Sequence, residues 1–260
     1  MTDFTGLHLD LAPPLARITL ARPERLNALS PALLEELITA SAVIAAEQEV
    51  KVVIVRGEGR AFSAGFDLDS ASGDVTAAHP DAGRRMAEAV SAIPALTIAA
   101  IHGHCVGGAL VLAAACDLRI AAVSTRFSIP EIDFGIPLAW GGIPRLVREL
   151  GPAVTKELVL TCRPFDAAEA HALRFLNRVV ADDALDAEVE ALAAQMASRS
   201  AFLIRQTKAH IDAVVEEAHS TRQSFRDAEI TMAAIRDEES RAAMLRYLQG
   251  HGRSRAGGGA

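Results

Sequence analysis

The 260-residue chain predicts an α/β fold closed by a helical extension. Two observations carry this reading. Strand-like and helix-like patterns alternate in the first half of the chain and helical ones dominate after Gly142, as in a mixed α/β unit followed by helices. From about residue 183 to 248 only amphipathic helical patterns follow, enough for three or four helices. No linker rich in Pro, Gly or Ser and no repeat of fixed period separates the two parts, so one core with an appended helical region is expected.

The elements can be justified in order. "ARITLAR" alternates, with Ala16, Ile18 and Leu20 on one face of a half-buried strand. Ser30 followed by Pro31 reads as an N-cap and first helical residue, opening a helix to about Ala46. "VKVVIV" is a β-branched buried strand that runs into the loop "RGEGRAFSAGFDLDS". A helix is expected over 81–92, a buried strand over "ALTIAAIHG", a short buried helix over 107–115 and a strand over "DLRIAA". Helices then follow at 142–150, 152–161 and 166–173, with a short strand in "NRVV".

Composition excludes several classes of function. A net charge of −7 offers no basic footprint for nucleic acid. Three cysteines (Cys105, Cys116, Cys162) without CxxC spacing argue against a disulfide framework or a zinc site and fit a reducing cytoplasm. "MTDFTGLHLD" lacks the apolar stretch of a signal peptide, and the tail "GRSRAGGGA" is expected to be disordered. Pro94 to Cys116 contains no Asp, Glu, Lys or Arg, long enough to span a bilayer. Gly103, Gly107 and Gly108 break that run and His102 and His104 polarise it, so a buried strand, a glycine turn and a buried helix are expected instead.

Known glycine motifs do not fit. After "VVIV" the spacing Gly57-x-Gly59 starts like a dinucleotide fingerprint, but Phe62 stands where the third glycine belongs and the later acid is absent. Ser63 in "AFSAG" lacks the first glycine of a nucleophile elbow. What remains is two glycine loops, "FSAGFDL" and "GHCVGGAL", each following a buried strand. Glycine lets a backbone approach a ligand closely, and a helix N-terminus adds its positive dipole end. Each loop alone is weak evidence, because tight strand–helix turns use glycine for steric reasons more often than for catalysis.

Taken together, "ARPERLNAL", "VVIVRGEGRAFSAGFDL", "AAIHGHCVGGALVLAAACDLRIAA" and "FSIPEIDFGIPLAWGGIPRLVRELG" resemble the enoyl-CoA hydratase/isomerase (crotonase) superfamily, from about residue 8 to 200. The resemblance implies a crotonase-like spiral of ββα units over 1–200, which binds acyl-CoA and carries catalysis. A helical trimerisation region would follow over 201–250, then a tail over 251–260 without order. It further implies a homotrimer or homohexamer, an acyl-CoA thioester as substrate, and no cofactor beyond the coenzyme A of the substrate itself. Two backbone N–H groups polarise the thioester carbonyl in this family; by position they belong to Phe66 and Gly108. Ala64, Gly65, Asp67 and Gly107 lie in the same two loops and are expected to meet substrate.

Hydratases of the family carry one glutamate a helical turn after the oxyanion glycine and another about twenty residues later. Those positions are Val111 and Glu131 here, so one acid is missing. Water addition wants both groups, whereas double-bond migration needs a single base to take a proton from C2 and return it at C4. The resemblance therefore implies an enoyl-CoA isomerase with Glu131 as base. A hydratase or other lyase using a non-standard acid, and a silent acyl-CoA binder, are the alternatives.

Lesser expectations complete the set. Ala139 holds the position that is acidic in relatives acting on dienoyl thioesters, and Asp133 is read as structural. Trp140, the only tryptophan, is expected either to line the acyl pocket or to pack in the core. Arg25 matches a segment that lies against CoA in relatives. His102 and His104 are read as ligand contacts or hydrogen-bonded histidines, Asp117 as a cap, and Tyr247 as the aromatic that approaches CoA from a neighbouring subunit.

Overall fold

A computed structural model of the chain describes residues 4–68 and 78–256. Six strands form the main sheet: β1 (Leu7–Ala12), β2 (Leu15–Leu20), β3 (Val52–Gly57), β4 (Leu96–Ile101), β6 (Leu118–Ala122) and β9 (Arg178–Val180), in the spatial order β1-β2-β3-β4-β6-β9. Only the β1–β2 hairpin is antiparallel; every later pairing is parallel. The helices α1 (Pro31–Ala46), α2 (Ala78–Ser91) and α3 (Gly108–Ala115) supply the crossovers that parallel neighbours require. Ser30 caps α1 by accepting from the Leu33 N–H, with Pro31 at the first helical position.

Alternation along the central strands explains why they read as continuous apolar runs. Val53, Val55, Ala99, Ile101 and Ala121 face one core with α1, α2 and α3. Val52, Ile54, Ile98, Ala100, Ile120 and Ala122 face a second, smaller core closed by Leu185, Val189 and Leu192 of α6 (Leu185–Ala197). A parallel sheet buried on both faces has no polar face to reveal its period.

A second sheet escaped the sequence pattern. β5 (His104–Val106), β7 (Arg126–Ser128) and β8 (Phe165–Asp166) pair in the order β5-β7-β8. Each is too short for alternation to be recognised. The strand expected over 95–103 ends at Ile101, because Gly103 turns with φ +60° and a Cβ there would sit 2.0 Å from the Arg60 carbonyl oxygen. The uncharged run from Pro94 to Cys116 is thus β4, β5 and α3, and among the described residues no helix is long and apolar enough to cross a membrane.

The rest of the chain is mainly helical. α4 (Gly142–Thr161) bends at Gly151, φ +74°, before Pro152, which accounts for its two sequence segments. α5 (Ala167–Ala172) precedes β9; α6, α7 (Ala201–Ala218), α8 (Asp227–Arg236) and α9 (Glu238–Ala256) follow it. The tail expected to lack order from 251 is helical as far as Ala256, since extending an existing helix costs far less than starting one. Residues 257–260 lie outside the described part.

Candidate active site

Backbone pairing brings the two glycine loops side by side. Phe62 and Ser63 donate their N–H groups to His102 and His104 carbonyls, and Val106 donates to Ser63, so residues 62–63 run alongside β5. On the other side, Leu29 donates to the Gly65 carbonyl and accepts from Asp67 N–H. With Gly65 and Asp67 both turned toward Leu29, the N–H of Phe66 between them is directed to the opposite side. Gly65 has φ +82°, and a Cβ there would stand 2.3 Å from the Val106 carbonyl oxygen and 3.5 Å from the Gly108 nitrogen. Only glycine permits this approach.

The second loop ends at α3. Gly107 has φ +51° and donates its N–H to Ser128 at the end of β7. Gly108 is the first helical residue, so its N–H has no acceptor within the helix and sits at the positive dipole end. Beyond β7 the chain folds into a compact turn, with Phe134 donating to Pro130 and Ile136 to Glu131. That turn delivers the Glu131 carboxyl beneath Gly107, where a Cβ on Gly107 would lie 2.3 Å from Glu131 Oε1.

Glu131 is partly exposed as a residue, but its carboxyl oxygen Oε2 is shut off from solvent and has no hydrogen-bond partner among the described residues. Burial disfavours the charged form and pushes its pKa up to about 7. A carboxyl balanced near neutrality and aimed at a cavity suits proton transfer.

The cavity has a volume of about 330 Å³, toward the lower end of small-molecule sites. Phe66, Gly108, Val111, Glu131 and Trp140 all line it, and Thr231, Ile235, Met244 and Leu248 from α8 and α9 close it. Val111 stands one helical turn beyond Gly108 and presents hydrocarbon. A smaller cavity of about 80 Å³ is lined by Ala64, Gly65 and Gly107, and shares Phe66 and Glu131 with the first. Phe66 and Glu131 therefore stand at the junction of two spaces.

Other expected residues lie elsewhere. Asp67, only 4% exposed, lines neither cavity; its carboxylate accepts from Arg22 (2.8 Å) and Arg25 (3.2 Å), which hold it below the usual carboxylate range against the cost of burial. Its place beside Phe66 misled the sequence reading, because consecutive side chains in an extended segment point to opposite sides. Arg25 is likewise outside both cavities, on Asp67. His102 is half-buried against the Gly59 carbonyl, His104 is exposed, and neither lines the two cavities. Asp117 does not cap a turn: its carboxylate accepts from the Thr97 backbone and hydroxyl and from the ammonium of Lys208. Tyr247, by contrast, does line the smaller cavity, where it packs edge-on against Phe134 of its own chain, 5.4 Å between ring centres.

The sequence reading missed the wall built by α8 and α9. Its residues follow ordinary helical spacing, and nothing in that spacing says which surface they cover. It also missed Asp227, whose carboxylate accepts from the Gly141 N–H at 2.7 Å and pins the turn bearing Trp140.

Known proteins share this architecture. Residues 12–251 match the family model described as enoyl-CoA hydratase/isomerase. The probable enoyl-CoA hydratase echA8 of Mycobacterium bovis is 35% identical over 205 residues, 78% of this chain and 79% of that protein. The crotonyl-CoA hydratase of Syntrophomonas wolfei is 31% identical over 210 residues, 79% and 81% of the two chains. A crystal structure of an enoyl-CoA hydratase/isomerase from Xanthobacter autotrophicus Py2 superposes with a TM-score of 0.82 at 32% identity, covering 94% of this chain and 97% of the other. A putative enoyl-CoA hydratase from Thermobifida fusca YX, solved in complex with acetoacetyl-CoA, gives 0.75 at 32% identity, covering 88% and 95%. Sequence match along nearly the whole chain, shared fold and paired glycine loops agree: this chain is an enzyme of the enoyl-CoA hydratase/isomerase (crotonase) family.

Proposed function

We propose that the enzyme moves the double bond of a 3-enoyl-CoA to the 2-position, with Glu131 as the single base. The observation that carries this is that Glu131 is the one carboxylate lining the cavity among the described residues, while Val111 contributes hydrocarbon at the other position. In this reading the thioester carbonyl lies at the junction of the two cavities, with its oxygen on the N–H groups of Phe66 and Gly108. Ionised Glu131 takes a proton from C2. The C–H electron pair becomes the C1–C2 double bond of a dienolate, whose negative oxygen the two amides hold. The same carboxyl then returns the proton at C4, the C2–C3 double bond forms and the carbonyl is restored. No water and no second acid enter the balance. Arg25, with about a third of its side chain exposed, is the cation proposed to face a CoA phosphate.

Hydration is the second reading, favoured by the names of relatives about 35% identical to this chain. Paired incubations with 2-enoyl-CoA and 3-enoyl-CoA, for the unmodified enzyme and Val111→Glu, separate the two. Migration without substantial hydration in the first, and hydration gained in the second, is the expected result. Robust hydration by the unmodified enzyme, unimproved by Val111→Glu, would transfer the assignment to hydratase.

A trimer or hexamer is proposed for the assembly. It is supported by the apolar surface of α7, where Phe202, Leu203, Ile211 and Val214 are each more than half exposed.

A further inference from the structure

We infer that Trp140 sets the width of the acyl group, so that the site selects slim, unbranched hydrocarbon acyl chains over acyl groups branched or ringed next to the thioester. This rests on the acyl-CoA reading of the cavity and concerns which acyl groups fit, whichever reaction follows.

Trp140 is held in an unusual way. Its φ is +63°, a left-handed conformation that bulky residues rarely adopt, and Gly141 after it has φ +68°. Such a conformation persists only where the surroundings enforce it. Here Gly142 donates its N–H to Ala139, and Gly141 donates to the Asp227 carboxylate at the start of α8.

The indole then lies in a slot made by two glycines. A Cβ on Gly83 of α2 would fall 2.1–2.3 Å from three atoms of its five-membered ring, so that ring rests on bare backbone. A Cβ on Gly108 would fall 2.2 Å from Cζ3, so the far edge of the six-membered ring touches the residue proposed to hold the oxyanion. The Phe66 ring meets the indole edge-on at 6.1 Å. Trp140 thus packs against both residues assigned to the thioester oxygen while forming part of the cavity wall. Bulk on the carbons next to that carbonyl would have to displace an indole that has no room behind it.

The rest of the wall accounts for the hydrocarbon preference. Among the described residues lining the cavity, Thr231 is the sole hydroxyl, and it donates to the Asp227 carbonyl. Away from Glu131 and Thr231, a polar acyl terminus would lose water against hydrocarbon and aromatic side chains.

The test measures binding, so it needs no turnover. Calorimetric affinities for butyryl-CoA, 2-methylbutyryl-CoA and benzoyl-CoA are compared in the unmodified enzyme, Trp140→Ala, Trp140→Phe and Gly83→Ala. The unmodified enzyme is expected to prefer butyryl-CoA by about tenfold or more, the usual scale for one misfitting methyl group. Trp140→Ala should abolish most of that preference and Trp140→Phe part of it. Gly83→Ala, whose Cβ would stand 2.1–2.3 Å from the indole, forces the ring toward the cavity at a cost in stability and should sharpen the preference. The two directions guard against loss of folding in any one variant. Equal linear-to-branched ratios in all folded proteins would overturn the inference, whereas failure of the unmodified enzyme to bind any of the three esters would overturn the acyl-CoA reading beneath it.

Discussion

Glu131 shows how a residue's identity and its chemistry come from different sources. Its position was legible from "IPEIDFG", but its pKa was not, because the burial that raises it comes from Gly107, Phe134 and helices remote in sequence. The base must be ionised to act, so kcat/KM for migration should rise as pH passes through about 7. The same burial destabilises the fold. Because the folded protein holds this proton more tightly than the unfolded chain, stability falls as pH rises from about 4.5 to about 7, by on the order of 3 kcal/mol. Glu131→Gln removes the ionisation, so it should be more stable than the unmodified enzyme above pH 7 and similar to it below pH 4.5. Denaturant unfolding at the two ends of that range checks this; an equal stability difference at both would mean that Glu131 is not an unpartnered buried acid. Asp67 is the opposite case: a carboxylate equally well placed by the motif is paired with Arg22 and Arg25 outside both cavities.

At the scale of elements, long strands and capped helices were readable, and short connections were not. Ser30–Pro31 marked α1 correctly because capping is local chemistry. β5, β7 and β8 were invisible, although they align the loops that form the site, since two or three residues carry no period and these lack the paired valines that marked β9. The Trp140–Gly141 turn was equally hidden: its geometry depends on Asp227, 86 residues downstream. Asp227→Ala should therefore cost about 1.5–3 kcal/mol, as the loss of a charge-assisted hydrogen bond, and weaken substrate binding through the loosened indole. Thermal unfolding together with acyl-CoA affinity measures both. Unchanged affinity would show that the turn keeps its shape without this bond.

At the scale of the whole molecule, the order of strands and helices conveyed the fold class, and four motif segments conveyed the family. The closure of the cavity by α8 and α9 was not legible, because an amphipathic helix announces that it has an apolar face but not what covers it. α7 still exposes such a face, so sedimentation at micromolar concentration should find a trimer or hexamer. A stable monomer would contradict the assembly while leaving the site intact.

The central claim is that one carboxylate, Glu131, moves the double bond without adding water. The most direct measurement follows 3-enoyl-CoA by product analysis with the unmodified enzyme and with Glu131→Gln, after confirming that both bind the ester. The account predicts 2-enoyl-CoA as the accumulating product and a rate lower by roughly 10²–10⁴-fold in the variant, the usual contribution of a positioned base. Undiminished migration by Glu131→Gln, or 3-hydroxyacyl-CoA formed by the unmodified enzyme faster than the double bond moves, would contradict it.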